Sequence, residues 1–526
     1  MNSVLLRFGV LCAGTPAMTI AQCLAVRKLL DIGETEFVLL IILQDVFTTR
    51  DARPSDLPAE FGSVPQVSCM TTRDAGGYRH LADTDAQSIR ECRLDLLLDF
   101  SGVPLGGEIL DIPTSGVWTF SHRVEPKASL SIVTLLRLRN PPGSATPLAS
   151  CTVRADPVSR RTQTTTAMAA GADLPADVCK HLLRGSADCL TAPPQPNLFA
   201  PAQPLWRRTL SALALGRDWV SSQLEAVLFV ETWNVGIVNA PIHRFLEPGF
   251  LPAVTWVPAV GPHKFIADPF AISRENEIDL LVEEFDQDRY QGYIGSTRWT
   301  PERQPDWKLR IDEGVHMSYP YPVQHGGKLY VVPESSSSQE VALYEYESGA
   351  GQWRKVATLI EDFAGIDSTL IQHDGRWWLF CTCRDDFPDS KLYLWFAPDL
   401  FGPWLPHRMN PVKCDVRSSR PGGTPFWHDG ALYRPAQDSS RSYGGALTIN
   451  RIISLTLDEF REEPVVHLEP FPGSPYPHGM HTLSAAGSIT VLDGKRMAFI
   501  PRLSVRRLGH KIRRLLQILF RRGAIS

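Results

Sequence analysis

His325–Ser335 reads HGGKLYVVPES, His373–Cys383 reads HDGRWWLFCTC, His428–Asp438 reads HDGALYRPAQD and Leu492–Arg502 reads LDGKRMAFIPR. Each phrase places Gly after a polar residue and follows it with an aromatic or apolar run, the pattern of a tight hairpin turn leading into a strand. A small antiparallel sheet repeated at a period of roughly fifty residues predicts a β-propeller. A propeller takes its ligand at one end of the central axis, where the inner strand of every blade contributes a residue. Charged residues at equivalent places in successive blades are therefore the candidates for function.

Working outward from these phrases, residues 233–501 divide into five units. The first runs through Ala267-Asp268-Pro269-Phe270 to near Trp299, the second covers Ser318–Ile360, the third Asp367–His407 and the fourth Arg420–Pro464. The fifth lies near Gly479–Phe499 and is expected to be closed by a strand from before Asp268. Residues 191–232 form a Pro-rich linker, TAPPQPNLFAPAQP, followed by a helical stretch over Leu205–Val230 expected to brace the two halves. In residues 1–190 the segments Val4–Leu11, Met18–Leu30 and Phe37–Leu43 predict a βαβ opening, with the apolar third segment in a parallel sheet covered on both faces. Leu94–Phe100, a short helix at Glu108-Ile109-Leu110 and the strand Gly116–Phe120 continue it. The fold class is thus an α/β Rossmann-like domain followed by an all-β five-bladed propeller. Residues 502–526 alternate Arg and Lys with Leu, Ile and Phe, a basic amphipathic helix. It suits docking on the protein itself, an anionic membrane surface or a partner helix.

The chain has 526 residues, a net charge of -4 and a pI near 6.4, so its bulk charge does not point to nucleic acid. Its 10 cysteines are scattered without a CxxC pair, which favours reduced structural thiols over a disulfide framework or zinc site. The N-terminus lacks a clear basic region and reads as a buried first strand rather than a signal peptide. No apolar run is long enough to span a bilayer. The expected setting is cytoplasmic, including the inner membrane face through the tail.

Asp95–Arg123, DLLLDFSGVPLGGEILDIPTSGVWTFSHR, resembles the formyltransferase fold of the methionyl-tRNA formyltransferase family, over roughly Val4 to Val153. The resemblance implies a Rossmann-like sheet and a catalytic Asn, His and Asp. The matching positions hold Thr119, Ser121 and Ser144. Hydroxyl groups cannot carry the oxyanion and proton-transfer load of that reaction. The domain therefore reads as one that has lost formyl transfer. His122 is one residue off and would face the other side of the strand unless the register slips.

FIADPF (Phe265–Phe270), MSYPYPV (Met317–Val323), IDSTLIQHDGRWWLF (Ile366–Phe380), YRPAQD (Tyr433–Asp438) and GMHTL (Gly479–Leu483) resemble the five-bladed propeller of the glucosamine inositolphosphorylceramide transferase family. The resemblance extends more distantly to glycoside hydrolase family 43, whose inverting members carry three acids on inner strands. It implies that Asp268 is the general base and Asp367 the orienting acid. Where the general acid should stand, the chain reads Arg420-Pro421-Gly422-Gly423. Glu334, or the pair Glu283-Glu284, is the available substitute. Arg420, Arg434, His478, His481 and Tyr319 are the candidate substrate-binding residues, and the cationic ones suit an anionic glycan or sugar phosphate. His478 and His481 have an H-x-x-H spacing, but no helix and no third ligand accompany it, so no metal is assigned. No cofactor is expected.

Three functions are consistent with this sequence. The first is a carbohydrate-active propeller acting on or binding a glycan or sugar phosphate, in the manner of a glycosidase or glycosyl transferase. The second is a non-catalytic glycan-binding protein. The third is an N-formyltransferase acting on an amino sugar through His122. The oligomeric state is not legible.

Overall fold

The structure, a computed structural model, describes residues 5–46, 57–186, 195–196 and 229–501, apart from positions 16, 126–128, 156–159, 262, 274–277, 301–304, 348 and 350. The chain forms two compact units, Met1–Ser211 and Ala212–Ser526. The tail at 502–526 and nearly all of the 191–232 linker lie outside the described residues. Of the helix expected over Leu205–Val230, only Phe229 and Val230 are described, and they open a strand instead.

In the first unit, β1 (Leu6–Ala13), α1 (Ile20–Leu30) and β2 (Thr35–Leu43) form the expected parallel βαβ opening. Thr19 starts α1 through a capping box: its hydroxyl accepts the Gln22 N–H, and the Gln22 side chain accepts the Thr19 N–H at 2.7 Å. There follow β3 (Gln66–Cys69), the small hairpin of β4 (Thr71–Arg73) and β5 (Arg79–Leu81), α2 (Asp83–Glu91) and β6 (Leu96–Asp99). Then come β7 (Val117–Glu125), β8 (Leu130–Arg139), β9 (Ser144–Arg154), α3 (Arg160–Ala170), α4 (Leu174–Leu183) and β10 (Gln195–Pro196). One sheet carries the order β10-β9-β8-β7-β6-β1-β2-β3, with β3, β2, β1, β6 and β7 parallel and β8 to β10 antiparallel. The unit is thus strand-rich with few helices. Cys12, Cys23, Cys69, Cys92, Cys179, Cys381 and Cys383 keep their thiols, as expected of structural cysteines, whereas Cys151 and Cys414 each take part in a disulfide, against that expectation.

The second unit is a five-bladed propeller of four-stranded antiparallel blades. Strands β11 (Phe229–Val238) and β12 (Val254–Trp256) belong to the last blade. The first blade is β13 (Lys264–Ser273), β14 (Ile278–Asp286), β15 (Gln291–Trp299) and β16 (Lys308–Ile311). The second is β17 (Ser318–His325), β18 (Lys328–Glu334), β19 (Glu340–Glu347) and β20 (Gln352–Glu361). The third is β21 (Gly365–His373), β22 (Arg376–Cys383), β23 (Lys391–Ala397) and β24 (Leu405–Pro406), with β25 (Lys413–Cys414) also pairing β23. The fourth is β26 (Phe426–His428), β27 (Ala431–Asp438), β28 (Ala446–Leu455) and β29 (Phe460–Leu468). The fifth begins with β30 (Leu483–Ala486) and β31 (Ile489–Phe499), and β11 pairs with β31 to close the ring as expected.

The run WWLFC in β22 shows why blade strands are apolar at every position. Trp377, Leu379 and Cys381 pack with Val331 and Tyr344 of the second blade, while Trp378 and Phe380 pack with Leu432 and Leu455 of the fourth. Alternate side chains leave opposite faces of a strand, and a blade is covered on both. Each buried ring or leucine contributes about 1.5–3 kcal/mol.

Three of the four opening phrases are hairpin turns, with left-handed residues at Gly326-Gly327, Asp374-Gly375 and Asp429-Gly430. The fourth is not. Leu492-Asp493-Gly494 lies inside β31, and the turn before it is at Gly487, whose φ is +63°. A Cβ on Gly494 would come within 2.5 Å of Trp256, so this glycine admits a neighbour rather than turning the chain.

Candidate functional site at the propeller axis

The inner strands of the first three blades share one irregularity. The β13–β14 ladder skips Asp268-Pro269, the β17–β18 ladder skips Tyr319-Pro320, and the β21–β22 ladder skips Asp367-Ser368. The first residue of each pair is left-handed, with φ of 49°, 46° and 51°. Such bulges re-aim a side chain, and non-glycine residues there store roughly 1–3 kcal/mol of strain. Pro at the second position of two of them costs no ladder hydrogen bond. β13 packs against β17 and β30, and β17 against β21, so the bulges face one another around the axis.

Asp268, Glu283, Glu334, Asp367 and Asp493 gather there, each at least nine-tenths buried. Asp268 Oδ1 accepts the Thr482 hydroxyl at 2.9 Å and lies 3.6 Å from His481 Nε2. Its backbone N–H donates to Asp493 Oδ2 at 3.3 Å. Asp493 Oδ1 also accepts the N–H groups of His481 (2.8 Å) and Thr482 (3.1 Å), and its Oδ2 is 2.5 Å from His481 Nδ1. Asp367 Oδ2 accepts Arg420 Nε and Gln437 Nε2, both at 2.6 Å. Arg420 also reaches Asp389 Oδ1 at 3.2 Å and lies 5.1 Å over the Tyr443 ring. Glu334 Oε1 accepts the Ser336 hydroxyl at 2.9 Å. Glu283, opposite Ala267 in the ladder, lies 3.6 Å from His316 Nε2.

Burial and mutual repulsion set the protonation states. Burial pushes Asp268 up to about 6, with His481 holding it down and Asp367 and Asp493 raising it. Asp367 also rises to about 6 by burial, against the pull of Arg420. Glu334 is raised by burial, which Arg420 and Ser336 only partly offset. Glu283 stands well above the usual carboxylate range because it is buried and the carboxylates Asp268, Glu334, Asp367 and Asp493 oppose its charge. Burial opposes charge on His481, but Asp493 and Asp268 outweigh it and hold the imidazole above its ordinary value. The site therefore contains carboxyl groups tuned apart, one favouring the protonated form and others ionising near pH 6.

The structure brings Asp268, Asp367, Glu334, Arg420 and His481 into this group. It does not bring the others. Arg434 is fully buried against Glu462 at 2.6 and 2.9 Å and the carbonyls of Ser418 and Ser419, so all three of its guanidinium nitrogens are engaged elsewhere. His478 is exposed and accepts the Met497 N–H. Tyr319 occupies the second-blade bulge, but its hydroxyl is held by Thr369 at 2.8 Å and by the Gly423 N–H at 2.7 Å, making it a strut between blades. Of the Glu283-Glu284 pair, Glu284 faces outward to Lys264. In the fourth blade no carboxylate can take the missing place. A Cβ on Gly423, whose φ is +128°, would lie 1.9 Å from the Leu483 carbonyl, and one on Gly422 would lie 2.9 Å from the His481 carbonyl.

Asp493, Thr482 and Gln437 were not legible as site residues. Asp493 was hidden by the Asp-Gly turn signature, although Val491, Asp493 and Lys495 alternate on one buried face of β31, a pattern that marks an inward charge. Trp233, stacked on His481 at 4.0 Å between centroids, was likewise missed. Asp268, His481 and Asp493 offer one ligand atom each within 4.8 Å of one another and are the described residues that could hold a metal ion. His478 is not among them.

In the first unit, Thr119 donates to the Asp99 carbonyl at 3.2 Å and Ser144 to the Pro141 carbonyl at 2.9 Å. His122 bonds Ser131 at 2.7 Å, and burial lowers its pKa. The β7–β8 ladder runs unbroken from Trp118 to Glu125, so no register slip turns His122 to the face of Thr119 and Ser121.

A family model described as glucosamine inositolphosphorylceramide transferase 1, N-terminal, matches residues 248–470. The match falls on the propeller. Among curated relatives, the glucosamine inositolphosphorylceramide transferase 1 of Oryza sativa subsp. japonica is 32% identical over 256 residues, 45% of this chain and 34% of that protein. The Arabidopsis thaliana protein of that name is 31% identical over 212 residues, 39% of this chain and 28% of that protein. The chain thus spans about a third of the length of the relatives it matches. Among solved structures, an exo-β-1,3-galactanase from Clostridium thermocellum covers 42% of this chain and 57% of its own at 14% identity and a TM-score of 0.33. A family 117 glycoside hydrolase from Zobellia galactanivorans covers 51% and 91% at 13% identity and the same score.

Proposed function

We propose that the propeller is carbohydrate-active, with acid–base chemistry at a glycosidic or sugar-phosphate bond as its reaction. The observation that carries this reading is the convergence of Asp268, Glu283, Glu334 and Asp367 from three blades with their protonation tuned apart. Glu283, which favours the protonated form, is the proton donor to the leaving oxygen, in place of the absent fourth-blade acid. Glu334 is the second candidate for that role. Asp268, ionising near 6, is the base at neutral pH. Asp367, clamped by Arg420 and Gln437, positions and does not transfer protons. The similarity to glucosamine inositolphosphorylceramide transferases makes glucosamine-containing glycans the first substrate class to try.

A non-catalytic glycan binder is the second reading, favoured by the arginine standing at the position of the family's general acid. We read the first unit as a formyltransferase-like, Rossmann-type frame without that family's Asn, His and Asp, and the whole as a protein of glycan assembly on the cytoplasmic side. Incubating the full chain with aryl glycosides and amino-sugar glycans tests the catalytic reading. Turnover that disappears in Asp268→Asn supports it. Glycan binding without turnover in the parent protein would favour the second reading.

A further inference from the structure

Tyr443 lies in the turn between β27 and β28 of the fourth blade, and that turn is firmly held. The Gly445 N–H donates to the Ser442 carbonyl at 3.1 Å. The buried Lys495 ammonium donates to the Tyr443 carbonyl and, at 3.4 Å, to the Ser442 hydroxyl. Gly444, with φ of +57°, admits the Trp233 ring, from which a Cβ would lie only 2.6 Å away. The Tyr443 ring is held too. It makes T-shaped contacts with His481 at 5.5 Å and Trp233 at 6.4 Å between centroids, and Arg420 Cζ lies 5.1 Å over its face. Arg420 is in turn anchored by Asp367 and Asp389.

These contacts fix the ring, and none of them engages the hydroxyl. Among the described residues Tyr443 Oη has no hydrogen-bond partner, and it is not one of the polar atoms closed to solvent. The residue is half-buried. A phenylalanine would make the same ring contacts, so packing does not call for the oxygen. The charges of Arg420, Asp268, Asp367 and Glu283 act on that oxygen, which places it at the acidic centre. Burial and the three carboxyl groups raise the phenol well above its ordinary value, against the pull of Arg420, so it keeps its proton and is available as a donor. Asp268 and Asp367 ionise near 6 and are both charged at neutral pH, with Arg420 already clasped by Asp367 and Asp389. That balance disfavours an anionic acceptor beside the phenol. We propose that Tyr443 is a substrate-binding residue of the acidic centre, donating its phenolic O–H to an uncharged oxygen of the bound sugar: a hydroxyl, ring or acyl oxygen. This rests on the reading of the centre as a carbohydrate site, but it does not require the centre to be catalytic.

The test is calorimetric titration of the full chain, parent and Tyr443→Phe, with chitobiose (the glucosamine disaccharide) and with its N-acetylated form. The parent protein should bind at least one of the two saturably. Tyr443→Phe should bind that sugar about five- to tenfold more weakly, the loss of one neutral hydrogen bond. Its thermal midpoint should not fall, because the hydroxyl has no partner among the described residues to lose. Affinity within about twofold of the parent protein would overturn the proposal. A fall in the midpoint alongside the lost affinity would make the hydroxyl a structural group and overturn it as well. Inorganic phosphate should not compete with the sugar; competition that disappears in Tyr443→Phe would place an anion at the phenol and refute the uncharged acceptor. A parent protein that binds neither sugar would overturn the carbohydrate reading of the centre, and this assignment with it.

Discussion

Replacing Arg420 with Met keeps much of the aliphatic stem and removes the charge. Asp367, 2% exposed at its side chain, then retains only the Gln437 amide on Oδ2 and still faces Glu334. Breaking a buried pair by removing one partner costs about 3–5 kcal/mol. The remaining Gln437 bond softens this, and the second partner, Asp389, is 23% exposed and adds little because water screens it. The expected loss is therefore about 3–4 kcal/mol at pH 8. Asp367 already sits near 6 in the folded protein against about 3.9 unfolded, so its folded state binds the extra proton. That contribution is full below about pH 4 and is lost as pH rises through 6. Without Arg420 the folded value climbs further, so the variant should approach the parent protein near pH 5 and fall behind it at pH 8. Urea unfolding followed by tryptophan fluorescence at the two pH values measures this. Adding Asp367→Asn to Arg420→Met should restore most of the loss. A deficit below about 1 kcal/mol at pH 8, or one of equal size at both pH values, would refute the electrostatic reasoning.

Asp268→Asn should lower kcat/KM by at least about a hundredfold while leaving stability at pH 8 unreduced, because it removes a carboxyl that burial already disfavours; paired kinetics and unfolding curves check it. Glu283→Gln should match or exceed the parent protein's thermal midpoint at pH 9, since a raised Glu283 costs stability as pH increases through its folded pKa; a lower midpoint at pH 9 would contradict its assignment as the protonated group. Gly423→Ala should destabilise by about 3 kcal/mol or more, from strain at φ +128° and the collision with the Leu483 carbonyl, as read by denaturant midpoint. Glu462→Gln strips Arg434 and Lys413 of their shared carboxylate and should cost about 3–5 kcal/mol at pH 7. Those two cations hold Glu462 below its usual range despite burial, so its contribution is present above about pH 4.3 and lost as pH falls through the lower folded value.

The blades were legible because a strand covered on both faces must be apolar at successive positions, as in Trp377–Cys381, and because an Asp-Gly or Gly-Gly pair between such runs has little else to do than turn. The same rule misled at Asp493-Gly494, where close packing against Trp256 rather than a turn requires glycine. Asp268 and Asp367 were legible from the blade starts. The bulges that aim them inward were not, because a skipped ladder pair leaves no composition signal except the Pro after Asp268 and Tyr319. Arg420 precedes the fourth blade and Arg434 lies on its second strand, β27, and no sequence pattern separates the one locked to Glu462 from the one bridging to Asp367. Glu283 lies on a second strand rather than an inner one, so its place in the centre depends on packing that no local pattern encodes.

A structure of the full chain with a bound amino-sugar oligosaccharide decides whether the acidic centre is a sugar site. A sugar ring is expected at the propeller axis, with its glycosidic or phosphate oxygen between Glu283 and Asp268 and a hydroxyl near Asp367. A saccharide seated only elsewhere on the propeller, with the five carboxyl groups still packed on one another, would contradict it.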